Sequence, residues 1–109
     1  MKQIAAIILA AGSSSRFGQP KQLVDWQGTP LVTRVASTAW RAGLAPIIVV
    51  LGSHAEQVGA AVRRAALPTQ TVMNWRWEQG LSTSVQTGLM ALPPSTDAAI
   101  FLQSDQPLL

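Results

Sequence analysis

The residues of this chain best suited to chemistry are small, and cations follow them. Ala10, Ala11, Gly12 and Ser13 open a run that continues through Ser14 and Ser15 to Arg16, Gly18, Pro20 and Lys21. Such a stretch cannot build a core. With little side-chain bulk, its backbone N–H groups can approach a ligand closely, and Arg16 and Lys21 add two positive charges to a wall of amides. A polyphosphate is the best-matched ligand. Far along the chain, Asp105 stands just past an apolar run. There a carboxylate could hold Mg²⁺ against phosphate oxygens, or merely cap the next element; beside the first loop, the metal reading leads. His54, the single histidine, has no Ser or Cys partner identifiable nearby and reads as a surface residue in the first turn of a helix. Trp75 and Trp77 read as side chains packed at a sheet edge or under a loop rather than as stacking platforms.

These residues need elements to position them. Ile4 to Leu9 is a continuous apolar run of strand length, which suits a central strand covered on both faces. After it, Leu23 to Trp26 reads as a short extended piece and Gln27-Gly28 as a turn. Thr29 caps a helix with Pro30 at its first position, running to about Ala42 with Leu31, Val35, Thr38 and Ala39 on its packing face, and Gly43 stops it. Pro46 to Leu51 is a second apolar strand, with Gly52 at the turn. Ser53 and Glu56 match the S-x-x-E capping box of a helix from about His54 to Ala66. Thr69 to Asn74 is a third strand. Gly80 to Leu92 reads as a turn feeding a third helix, capped by Ser82 or Thr83, with Val85, Leu89 and Leu92 on one face. Its N-terminal end would offer backbone donors at the same sheet edge as the first loop, or be an ordinary capped helix. Ala98 to Leu102 is the fourth strand.

Strand and helix thus alternate four times, which predicts a three-layer α/β/α fold with a mostly parallel sheet and right-handed crossovers. The loops at the carboxyl ends of the four strands all carry Gly, Ser, Asn or Asp and can converge on one cleft. At 109 residues, 48% hydrophobic and 12% charged, the chain suits one folded domain. The absence of cysteine excludes disulfides, thiolate nucleophiles and Cys-ligated zinc, leaving oxygen ligands for any metal. No apolar run reaches the length of a membrane span, and no signal peptide precedes the first strand, so a cytoplasmic location is expected. The net charge of +3 is dispersed, with neither a basic stripe nor a stacking platform, so a small anionic substrate fits better than nucleic acid or a membrane.

Two well-known phosphate loops do not match. A Walker A loop needs Lys and Ser/Thr directly after its second glycine, where this chain has Gly18-Gln19-Pro20-Lys21, and the three-glycine spacing of a dinucleotide fingerprint is missing. The stretch resembles instead, almost residue for residue, the LAAGxSxRFGxPKQL signature of the MobA-like nucleotidyltransferases. The resemblance extends through Val72-Met73-Asn74, the Trp77 to Ser82 turn with Ser84, and Ser104-Asp105-Gln106-Pro107. Within that group the chain looks most like the molybdenum cofactor cytidylyltransferases.

The resemblance implies a Rossmann-like nucleotide-diphospho-sugar transferase fold, with residues 1–109 as the N-terminal, nucleotide-binding part of a longer domain. It implies main-chain contacts to base and ribose from Leu9, Ala10, Ala11 and Gly12, with Ser13 in the same loop. It gives Arg16 and Lys21 the phosphates, Asn74, Gly80, Leu81 and Ser82 the nucleoside, and Asp105 the Mg²⁺ ion. The reaction implied is displacement at the α-phosphorus of CTP by the terminal phosphate of molybdopterin, with release of pyrophosphate and a molybdoenzyme as the eventual client. Guanylyl or other nucleotidyl transfer to another phosphorylated small molecule stands as an alternative, as does a non-catalytic nucleotide- or cofactor-binding maturation factor. A sheet that ended at the fourth strand would expose an apolar edge and favour association.

Overall fold

The computed structural model describes residues 2–13, 15–16, 19–23, 25–26 and 29–104, and for residues 15, 16, 19–21, 25 and 26 it describes the backbone alone. Four strands form one parallel sheet: β1 (Ile4–Ala10), β2 (Ile47–Leu51), β3 (Thr69–Met73) and β4 (Ala98–Gln103). Their order across the sheet is β3-β2-β1-β4. Ala6 aligns with Ile47 on one side of β1, and Ile4 with Ala98 on the other. β1 is the inner strand its apolarity requires, buried from Ala5 to Ala10.

Three helices connect the strands: α1 (Leu31–Arg41), α2 (Ala55–Arg64) and α3 (Leu81–Met90). Alternation along β1 divides the core between the two faces of the sheet. Ala6, Ile8 and Ala10 pack with Ile47, Val49 and Leu51 under Val32, Val35, Ala36 and Ala39 of α1 and Val58, Ala61 and Val62 of α2. Ile7, Leu9, Ile48 and Val50 face the other way, against Val85, Ala91, Leu92 and Trp77. The chain moves one way across the sheet through α1 and α2, then crosses back through α3. Crossovers of uniform hand must then put α3 on the opposite face, so the three layers follow from strand order.

Several local expectations are corrected. α1 buries Val32 and Ala36, whereas Thr38 is exposed and its hydroxyl donates to Arg34 O at 2.9 Å. Pro30 takes the N-cap of α1, with no side-chain cap from Thr29. The expected capping box of α2 does not form: His54 occupies the N-cap in a left-handed conformation, φ 58°, and no side chain caps the helix. Ser53 is drawn elsewhere, its backbone N–H donating to Ala11 O at 3.1 Å. α3 begins one residue before its expected cap, with Gly80 at the N-cap. Its buried residues are Thr83, Ser84 and Gly88, while Leu89 is 47% exposed. Trp75 is 83% exposed rather than packed.

Candidate functional site

A strand order in which the chain leaves β1 toward β2 and later returns to β4 makes the gap between β1 and β4 a topological switch point. The ends of neighbouring strands diverge there and leave a crevice at their carboxyl edge. A cleft of about 390 Å³ opens at that edge. Leu9, Ala11, Gly12, Ser13 and Gln22 line one side, Trp77, Glu78, Gly80, Leu81 and Ser84 another, and Gln103 comes from the end of β4.

The loop after β1 has a definite polarity. The consecutive carbonyls from Leu9 to Gly12 are all engaged by protein donors. Leu9 O accepts from the Ser104 hydroxyl at 2.9 Å, Ala11 O from Ser53 N, and Gly12 O from the Gln22 side-chain amide at 3.1 Å. Ala10 O lies at 3.5 Å from that same amide nitrogen. By contrast, the N–H groups of Ala11, Gly12 and Ser13 donate to no group among the described residues. A loop with filled acceptors and open donors favours an anion.

Across the cleft, the start of α3 is fixed by a buried polar knot. Asn74 is 1% exposed, and its amide nitrogen donates to the Thr83 and Ser84 hydroxyls, both at 2.9 Å. Its carbonyl accepts from Arg76 N at 3.0 Å. The Thr83 hydroxyl donates to Gly80 O at 2.7 Å, with Arg76 O also in reach at 2.9 Å. Gly80 has φ 113°, which a residue with Cβ adopts only under strain. This knot holds the first turn of α3 against the cleft, where its leading N–H groups carry partial positive charge.

The structure therefore brings Leu9, Ala11, Gly12, Ser13, Gly80 and Leu81 to one cleft. Ala10 is fully buried in β1, Asn74 spends its side chain on the α3 turn, and Ser82 is an exposed residue of the first turn, outside the cleft lining. The backbone of Arg16 pairs with Gln19 in a two-residue antiparallel bridge, and Lys21 begins a short 3-10 turn ending at Leu23. The side chains of Arg16 and Lys21, and all of Asp105, lie outside the described residues. Sequence reasoning had not singled out Gln22, Trp77, Gln103 or Ser104 as parts of the site. Gln22 and Ser104 each stand beside a chosen residue, which was the available signal.

Among the described residues, Glu78 is the one ionisable side chain lining the cleft, and no group of three His, Cys, Asp or Glu could hold a metal ion. No described helix is long and apolar enough to cross a membrane. Among the described residues the lining offers hydroxyls, amides and backbone donors, with Glu78 as its one carboxylate, which suits binding and alignment of an anion better than covalent catalysis by the protein.

Known proteins are similar to this chain. Nicotine blue oxidoreductase of Paenarthrobacter nicotinovorans is 36% identical over 87 residues, 78% of this chain and 41% of that protein. A probable molybdenum cofactor guanylyltransferase of Bacillus cytotoxicus is 54% identical over 35 residues, 32% of this chain and 18% of its own length. The crystal structure of Rv0371c from Mycobacterium tuberculosis superposes with a TM-score of 0.83 at 31% identity, over 99% of this chain and 54% of that one, and the same protein is known as a manganese complex. The chain thus spans about half the length of these longer relatives. Residues 6–109 match the MobA-like NTP transferase domain. With the strand order, the loop after β1 and this match in agreement over nearly its whole length, the chain belongs to the MobA-like NTP transferase family.

Proposed function

We propose that the chain carries the donor-nucleotide site of a nucleotidyltransferase that moves CMP from CTP to the terminal phosphate of a molybdopterin-type acceptor, releasing pyrophosphate. The observation that carries the nucleotide reading is the polarity of the loop after β1, in which the carbonyls from Leu9 to Gly12 are engaged while the N–H groups of the cleft-lining Ala11, Gly12 and Ser13 donate to no group among the described residues. These donors, with the start of α3 opposite, hold the nucleotide. Arg16 and Lys21 neutralise the triphosphate and stabilise the charge that develops on the departing pyrophosphate. Trp77 and Leu81 supply apolar walls for the nucleoside.

With no cysteine in the chain only oxygen-ligand metals such as Mg²⁺ fit, and Asp105, the residue after Ser104, would hold the ion. Bound there, the ion would neutralise phosphate charge. The manganese complex of the mycobacterial relative supports a divalent cation in the family. Guanylyl transfer is the second reading, favoured by the local match to the probable guanylyltransferase.

The test supplies the chain with Mg²⁺, molybdopterin and each α-labelled nucleoside triphosphate. Label transfer from CTP with pyrophosphate release is the expected result. Transfer from GTP instead would select the second reading, and absence of both transfer and binding would overturn the function.

A further inference from the structure

Gln22 is 3% exposed, lines the cleft, and has no assigned part in the chemistry. It belongs to the short turn Lys21–Leu23, which packs against both α1 and α2. Its amide nitrogen faces two carbonyls of the loop after β1, Gly12 O at 3.1 Å and, more weakly, Ala10 O at 3.5 Å. A flipped amide would set oxygen against both carbonyls, so the NH₂ end must face the loop. The other end, Oε1, is buried and finds no partner among the described residues. An orphaned buried acceptor costs free energy, so packing alone gives no reason for an amide here when an apolar side chain of similar size would avoid that cost.

We propose that Gln22 is the positioning residue of the anion loop: it anchors the Gly12 and Ala10 carbonyls so that the intervening and following N–H groups stay aimed at the anion. A peptide unit carries its N–H and C=O on opposite sides. Fixing Gly12 O toward Gln22 therefore turns the next N–H, that of Ser13, away from Gln22, and fixing Ala10 O does the same for Ala11. The residue acts through the loop without touching the reacting atoms. The assignment rests on the nucleotide reading above and adds that loop polarity is imposed by one side chain.

The experiment measures binding of CTP and of inorganic triphosphate to the parent chain, to Gln22→Glu and to Gln22→Met, with thermal unfolding recorded for each. Both variants should bind triphosphate about tenfold or more weakly, since each loses the bonds that orient the loop. Gln22→Glu adds a pH-dependent readout beside the neutral Gln22→Met, whose deficit no added charge can explain. At pH 7 its carboxylate opposes two carbonyl oxygens. When acid protonates it, the new O–H can donate to Gly12 O, so its deficit relative to the parent at the same pH should shrink as pH falls toward 5; the shift begins above the usual carboxylate range because burial favours the neutral acid. Gln22→Met should show no such recovery. If the parent binds triphosphate and either folded variant binds it equally well, or if the Gln22→Glu deficit is independent of pH, Gln22 does not position the loop. If the parent binds neither CTP nor triphosphate, the nucleotide reading falls and this role with it.

Discussion

Gly52 shows how tightly the cleft floor is built at single residues. A Cβ there would lie 2.7 Å from both Ala11 Cβ and Trp77 Cβ and 2.9 Å from Ala11 O. These are backbone-anchored neighbours, so the loop and the Trp77 turn would have to separate. Gly52→Ala should destabilise the fold by about 1–3 kcal/mol and weaken nucleotide binding, measurable by thermal unfolding and titration calorimetry. Lys21→Ala tests the phosphate role directly: turnover should fall on the order of a hundredfold, as when one preorganised donor to developing charge is lost, and unchanged turnover would refute the role. In sequence, Gly52 reads only as a turn, because the atoms that forbid a Cβ come from residues 41 positions before and 25 after it. For Asn74 the sequence suggests a nucleoside contact, whereas the structure shows a buried tie between β3 and α3, and its hydroxyl partners are identified only once the turn has closed.

At the scale of elements, α3 packs closely on the sheet at Gly88. A Cβ on Gly88 would meet Ile7 Cγ2 at 2.5 Å, so this glycine permits the contact that fixes the helix over β1. Gly88→Ala should lower stability by about 1–3 kcal/mol, seen as an earlier urea midpoint. This close approach also explains why the apolar pattern holds for Val85 and Leu92 but fails for Leu89: the contact selects small Thr83, Ser84 and Gly88, and leaves Leu89 half in water. α2 offers the opposite change. Ala66, just past its C-terminal end, holds φ 56°, a left-handed conformation that disfavours Cβ. Ala66→Gly should stabilise the chain by about 0.5–1 kcal/mol, less whatever glycine adds to the freedom of the unfolded state. The strands and helices themselves were legible because continuous apolar runs and 3.6-residue spacing are local signals. Caps were less so: Ser53 serves the Ala11 loop instead of its helix.

Over the whole molecule, the order β3-β2-β1-β4 places the site without reference to any single residue. Among the described residues β4 is an edge strand, with Ile100 and Phe101 45% and 39% exposed. An exposed apolar edge strand invites pairing with another chain. This 109-residue chain should self-associate in a concentration-dependent way, and Phe101→Lys should shift it toward monomer by light scattering without loss of helical circular dichroism. Parallel α/β architecture was readable from the fourfold alternation, but strand order is set by which apolar faces pair over long range, and that is not written in any local window. The most direct test of the central claim is calorimetric titration of CTP with Mg²⁺ into the chain and into an Arg16→Ala, Lys21→Ala double variant. The loop account predicts one site per chain, displaced by inorganic triphosphate and weakened at least about a hundredfold in the double variant, as expected for loss of two charge-assisted contacts. Binding that the double variant retains in full, or that inorganic triphosphate cannot displace, would contradict it.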